Sequence, residues 1–245
     1  MRVSPADIES LERATVEGVA PALLEEIGGW LVPLDDGAIG RAKSAVPLSH
    51  DLDASALSDV EAAYWTAGLT PMFRVADVPG LQGVADALAA RGYVGAKPTI
   101  VKVGDVDRLA ALRDRPADLM AEPDEAWGAV FLGEGFDPED GASRVAALTR
   151  SPDAMYAAAR EDGRTVAVGA VTFGHGWAGV HGMRTDAARR GRGLASTVLA
   201  ALGRATQARG IDRVFLQVEE GNDARSLYRK AGFAPVWRYQ YWTRP

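Results

Sequence analysis

From residue 154 to the C-terminus the chain changes repeatedly between two hydrophobic periods, and the order of those changes restricts what it can fold into. Three stretches with strand character, over residues 154–161, 165–173 and 178–185, precede an amphipathic helix over 193–209 that buries Leu194, Val198, Leu199 and Leu202. The extended VFLQV, a helix over 223–231 and the aromatic strand WRYQYW complete the chain. Strand, helix, strand, helix, strand is the order of a central sheet covered by helices. The expected class is therefore α/β, an α+β mixed sheet.

The first hundred residues use the same elements. A helix is expected over 5–28, opened by Ser4-Pro5, carried by Ile8, Leu11, Thr15, Val19, Leu23, Leu24 and Ile27, and ended by Gly28-Gly29. Extended pieces over 30–34 and 39–46 are expected to pair as a hairpin across Asp35-Asp36-Gly37. A helix over 54–67, the strand MFRV, a helix over 81–91 and the strand TIVKV follow. The segment VFLQVEEGNDARSLYRKAGFAPVW can be laid over MFRVADVPGLQGVADALAARGYVGAKPTIV, because both helices close on a glycine followed by an aromatic residue; the alternative to a duplication is a coincidental match between two amphipathic strand-helix-strand units. ATQARGIDRVF and AAYWTAGLTPMF match in the same way, with Gly210 and Gly68 each ending a helix before a strand. The charged connector DVDRLAALRDRPADLMAEPDE holds two prolines and marks an expected boundary near residue 105, giving units 1–105 and 106–245. Further helices are expected over 123–132 and 138–149.

Composition removes several function classes. A formal net charge of -6 over 245 residues argues against a general polyanion binder, so no nucleic-acid partner is expected and any phosphate site must be local. With no cysteine, disulfides, zinc-thiolate sites and thiol nucleophiles are excluded. The N-terminus lacks the apolar core of a secretory signal, and no apolar run approaches the roughly 20 residues of a membrane span. A cytoplasmic location without a membrane partner is the expectation, and nothing calls for a metal.

Against that acidic background stands MRTDAARRGRGLAS, running from a strand through a short turn into a helix. Glycines let the backbone approach a bound group, and the free amides of the helix start, with the positive end of the helix dipole, form an anion site. Arg190 and Arg192 add full charge. The spacing is neither Gly-x-x-x-x-Gly-Lys-Ser/Thr nor Gly-x-Gly-x-x-Gly, so a nucleotide hydrolase loop and a Rossmann cofactor are not expected. A solvated basic helix start is the plain alternative.

The run from Arg190 through Ala195 resembles the Gln/Arg-x-x-Gly-x-Gly/Ala loop of the GNAT superfamily of acyl-CoA dependent N-acetyltransferases. About thirty residues on, GNDARSLYRKAGF resembles that superfamily's Asn-x-x-Ala-x-x-Leu-Tyr-x-x-x-Gly-Phe helix at Asn222, Leu227, Tyr228, Gly232 and Phe233. Arg225 stands in the alanine's place, with Ala224 one position away. The resemblance covers roughly residues 116–243. It implies tandem GNAT-like domains, the first degenerate: the matching register offers Leu88 and Gln82 for Tyr228 and Asn222, and LSHDLD without glycine or arginine for the loop.

Residue by residue, the resemblance implies that the amides of Arg190, Gly191, Arg192, Gly193, Leu194, Ala195 and Ser196 hold the pyrophosphate of acetyl-CoA. Met183, Arg184 and Thr185 would lie beside the pantetheine arm, the Met183 amide polarising the thioester carbonyl and Asn222 bonding the arm. Arg184, Arg189 or Arg192 would meet the 3'-phosphate. Tyr228 would protonate the departing thiolate as general acid; its alternative role is packing. With no cysteine and no Gly-x-Ser-x-Gly elbow, direct attack by an amine is expected rather than a covalent intermediate. Base candidates are Glu219, Glu220, Glu134, His175 and His181, each alternatively an ordinary solvated or loop residue. Trp237, Tyr239, Tyr241 and Trp242, like Trp127, Phe131 and Phe136, line a pocket or pack a core or interface. The acceptor would be a small-molecule or peptide amine, with the acidic chain biased toward a cationic one, and the protein a monomer or homodimer. A non-catalytic acyl-CoA-binding sensor and an RNA-associated protein are the competing classes.

Overall fold

The computed structural model describes residues 3–135 and 137–245. Helix α1 (Pro5–Glu17) starts on a capping box in which Ser4 and Asp7 satisfy each other's backbone amides, with Pro5 in the first turn. It is shorter than the periodicity suggests. Gly18 caps it, Ala20 takes a φ of 44°, and Pro21 cannot continue a helix, so Leu23, Leu24 and Ile27 belong to strand β1 (Leu23–Ile27). Gly28 and Gly29, at φ 54° and 82°, make the hairpin turn into β2 (Trp30–Leu34), where primed geometry needs positive φ. Asp35-Asp36-Gly37 is therefore not the hairpin turn. Residues 39–46 are not one strand either: a 3-10 turn at Gly40–Ala42 precedes the short β3 (Val46–Pro47).

The remaining elements are α2 (Leu57–Thr66), β4 (Phe73–Ala76), α3 (Gln82–Ala90), β5 (Val94–Asp105), α4 (Val106–Ala110), β6 (Asp118–Met120), α5 (Glu125–Ala129) and α6 (Pro138–Thr149). Then come β7 (Ala154–Glu161), β8 (Arg164–Gly174), β9 (Trp177–Thr185), α7 (Leu194–Ala208), β10 (Arg213–Glu219), α8 (Arg225–Lys230) and β11 (Ala234–Thr243). Most of these fall close to expectation, but β5 extends well beyond TIVKV and the connector carries a strand, β6, that was not expected.

Beside a three-stranded sheet β1-β2-β3 lies an eight-stranded one in the order β4-β11-β5-β10-β9-β8-β7-β6. Its centre is reciprocal. Strand β5, from the first hundred residues, sits between β10 and β11, while β11, from the end of the chain, sits between β4 and β5, all antiparallel. The repeat seen in the sequence thus occupies related places: β4-α3-β5 and β10-α8-β11 each hold the other's last strand. Outside this centre, β10 pairs parallel with β9, and the isolated bridge Ala45↔Phe73 repeats that parallel contact beside β3.

Alternation along the strands sends side chains to two cores. Val214 and Leu216 pack with Leu194, Val198 and Leu202 of α7, while Phe215 packs with Trp177 and Leu11 of α1 on the other face. Helix α1 is pinned to the later strands by Trp177 Nε1 donating to Ser10 Oγ (3.0 Å), Arg213 to Asp7 (2.6 Å) and Gln217 Nε2 to Thr15 Oγ1 (3.1 Å). Among the described residues no helix is long and apolar enough to cross a membrane.

Candidate active site

The parallel pairing of β9 with β10 ends at Val180↔Leu216. Beyond it the two strands part, and residues 181–185 of β9 are paired only on the β8 side, through a bulge at which Gly182 takes a φ of 60°. A groove and a cavity both border this fork.

The groove has a volume of about 970 Å³ and is lined by Met183, Arg184 and Thr185, by Arg190, Gly191 and residues 193–196 of the loop, and by Asn222 and Tyr228. Gly191 (φ 77°) and Gly193 (φ 79°) have left-handed backbones, which only glycine takes without strain, and Gly193 caps the 15-residue α7. Among the described residues none of the amides of 191–196 donates a hydrogen bond. Six donors at a helix start, facing a groove, make an anion site. The arginines nearby divide. Arg189 pairs with Glu161 at 3.1 Å and Arg192 lies 3.6 Å from the same carboxylate, while Arg190 makes no ion pair among the described residues. Arg184 turns the other way, 4.0 Å from Asp140 and over the Phe131 ring. Arg113, which nothing in the sequence singled out, lines the groove with its guanidinium above Gly193.

The cavity, about 560 Å³, is built by both ends of the chain: Ala38 to Arg41 and Lys43 before β3, Lys97 and Thr99 on β5, His181 to Arg184 on β9, Gln217 to Glu219 on β10, and Tyr239 and Tyr241 on β11. The segment carrying Arg41 is held in place. Ala38 N donates to Ser143 Oγ (2.9 Å), Arg150 pairs with buried Asp35 (2.8 Å), and Gly40 lies under Tyr241, whose ring would be 2.9 Å from any Cβ there.

Met183, Arg184, Asn222 and Tyr228 border both spaces. Met183 packs its side chain into the core beneath α7, against Gly169, leaving its backbone at the fork. Asn222 Oδ1 accepts from Ala224 N at 2.8 Å, which fixes the side chain and leaves its NH2 free to donate. Tyr228 is buried on α8, edge-on to Phe233, and its hydroxyl makes no hydrogen bond among the described residues. Burial pushes the phenol up to about 12, so it stays protonated at neutral pH.

Of the base candidates, only Glu219 and His181 reach the cavity. Burial, with Arg41 beside it, holds His181 well below its ordinary value. Both its nitrogens are occupied. A guanidinium only donates, so Nδ1 accepts from Arg41 Nη2 (3.5 Å) and Nε2–H donates to Thr172 Oγ1 (3.1 Å). Glu220 pairs with Arg238 at 3.5 Å, His175 sits in a turn 2.9 Å from Glu17, and Glu134 is exposed away from the cavity. Trp237 and Trp127 are core residues; Tyr239, Tyr241 and Phe131 are both packed and cavity-lining; Phe136 lies outside the described residues.

The comparisons with known proteins agree with this fold. A curated relative, the uncharacterized N-acetyltransferase YobR of Bacillus subtilis (strain 168), is 27% identical over 249 residues, covering 96% of this chain and 98% of its own. A GCN5-related N-acetyltransferase from Kribbella flavida shares the fold at a TM-score of 0.73 and 20% identity, over 97% of this chain and 95% of that one. A tandem GNAT protein from the clavulanic acid biosynthesis pathway does so at 0.64 and 17%, over 97% and 87%. The profile of the family described as "Probable histone acetyltransferase Rv0428c C-terminal" matches residues 5–242. With nearly its whole length matched, the chain belongs to this acetyltransferase family of the GNAT superfamily.

Proposed function

We propose that this N-acetyltransferase moves the acetyl group of acetyl-CoA directly to an amine, at one working site in the unit 106–245. The observation that carries the reading is the junction at Met183, Arg184, Asn222 and Tyr228, where a donor-shaped groove meets a separate cavity. When bound, acetyl-CoA supplies a thioester carbonyl open to a nucleophile. The chain's own residues hold and orient it. The amides of 191–196 receive the pyrophosphate, with Arg190 and Arg113 adding charge. The unpaired edge of β9 at Met183, Arg184 and Thr185 takes the pantetheine arm as an added strand, and the Asn222 NH2 donates to it. Met183 N–H polarises the carbonyl. Tyr228 holds a proton at the departing sulfur, and Glu219, whose carboxylate makes no ion pair among the described residues, takes the proton from the amine directly or through water.

The unit 1–105 is read as a degenerate copy. The reciprocal strand exchange supports it, as does Leu88, fully buried where its counterpart Tyr228 reaches the fork. Its working role is to complete the cavity.

Titration calorimetry of acetyl-CoA tests the donor half of this reading. Gly193→Asp, which strains a left-handed position and puts a carboxylate among the amides, is expected to weaken binding by at least about tenfold. Gly210→Asp, at φ 70° but with open space at the far end of α7, controls for strain alone and keeps wild-type affinity. Wild-type protein that binds no acetyl-CoA removes the transferase reading; binding without turnover on any amine moves the chain to the sensor class.

A further inference from the structure

The charge of the cavity runs against that of the chain. Its walls carry Arg41, Lys43, Lys97, Arg144 and Arg184 against the single carboxylate of Glu219, in a protein of formal net charge -6. Behind the wall, Asp140 holds Arg144 through two bonds of 2.6 and 2.9 Å and lies 4.0 Å from Arg184. Lys97 feels the same carboxylate at longer range, which leaves Arg41 and Lys43 with no carboxylate paired with them among the described residues. Arg41, Lys43 and Lys97 make no ion pair among the described residues, and Arg41 has its Nε buried with no hydrogen-bond partner. Among the described residues the Arg41 guanidinium has one hydrogen bond, to the neutral His181 ring, which gives no compensating charge. Cations gathered in a concave, partly dry site raise the local concentration of anions and repel a free ammonium.

We propose that the acceptor is a small amine that also carries an anionic group, a carboxylate or a phosphate, held by Arg41, Lys43 and Lys97. This rests on the transferase reading and names its substrate class. The expectation of a cationic acceptor, drawn from the acidic composition of the whole chain, is reversed by what lines the cavity. A volume of about 560 Å³ suits a metabolite-sized molecule. Two effects of the same cations combine. The anionic group compensates the repulsion that would keep an ammonium out, and the surrounding positive charge favours the amine's neutral, nucleophilic form. The amine nitrogen attacks the thioester carbonyl carbon, the carbon–sulfur bond breaks, the amine's proton leaves toward Glu219, and the sulfur takes one from Tyr228.

The experiment compares matched acceptors with the full-length protein: an amino acid against its carboxamide, and an aminoalkyl phosphate against the corresponding amino alcohol. Thiol release gives kcat/KM, and titration into the CoA-loaded protein gives binding. The anionic member of one pair is expected to be preferred by at least about tenfold, and the pair that shows it separates carboxylate from phosphate. Added salt raises KM for that member, and Lys43→Gln and Arg41→Gln each shrink the preference. Lys97→Gln, at an exposed position, repeats the test should Arg41→Gln fail to fold. Equal or better use of the neutral members in both pairs, or no binding of either anionic member, overturns the inference while acetyl-CoA binding leaves the transferase reading standing. Absence of acetyl-CoA binding takes away that reading itself.

Discussion

Tyr228→Phe is expected to lower kcat by about 10²- to 10⁴-fold while leaving acetyl-CoA affinity within about twofold of wild type. The asymmetry follows from where the phenol sits. Its ring is buried against Phe233 and fills the same space in the variant, so packing is kept. Its hydroxyl has no hydrogen-bond partner among the described residues, so removing it leaves nothing in the protein unsatisfied and the melting temperature is expected to hold. What disappears is the hydroxyl proton at the border of groove and cavity. A group that acts as an acid must be protonated, and burial raises this phenol to about 12; activity is therefore lost only as pH rises through that value. Any rise in rate between neutral pH and about 10 belongs to deprotonation of the acceptor amine. Steady-state kinetics with calorimetry checks both halves. An unchanged kcat in Tyr228→Phe identifies the phenol as a packing group and transfers the proton to water.

Most of the residues that line the groove were legible in the sequence because its local geometry is set within short segments. Gly191 and Gly193 take left-handed angles within a few residues of the helix they cap, and Tyr228 and Asn222 lie one short helix apart. The α7, β10 and α8 assignments follow from periodicity and glycine stops in the same way. The cavity was legible only in part, through Glu219, His181, Tyr239 and Tyr241, because the rest of it is made by long-range pairing. No pattern in residues 94–105 says that β5 will lie between β10 and β11 rather than beside β4, since strand partners are chosen by tertiary packing. Arg41 and Lys43 were hidden further by a period misread: residues 39–46 look extended, yet Gly40 turns there because Tyr241 needs its surface. The overlong first helix has a simpler cause, since Pro21 outweighs the apolar spacing that continues past it. Arg113 gave no signal at all, lying in a charged connector where one arginine looks like the next.

The second large effect concerns stability, and it lies beneath the same cavity. Arg74 of β4 and Glu12 of α1 form an ion pair of 2.5 Å with both side chains buried. The guanidinium also lies 5.1 Å from the centre of the Tyr239 ring, whose hydroxyl donates to Gln217 (2.8 Å), which in turn reaches Thr15 on α1 (3.1 Å). Arg74→Met is expected to cost about 3–5 kcal/mol, because it leaves a carboxylate buried without a partner. For a chain of this size that is on the order of 10 °C in melting temperature. Burial already holds the Glu12 carboxyl above its ordinary value despite the arginine, and loss of the arginine raises it further. A carboxyl whose folded value exceeds its unfolded one destabilises fully above the folded value, so the deficit shrinks as pH falls through that raised value toward 4.5. Removing both charges in Glu12→Leu with Arg74→Met is expected to recover most of the loss, as buried pairs replaced by apolar groups commonly do. Denaturant unfolding of the single and double variants across pH decides the matter. Equal losses in both variants would show that shape rather than charge holds this contact between α1 and β4.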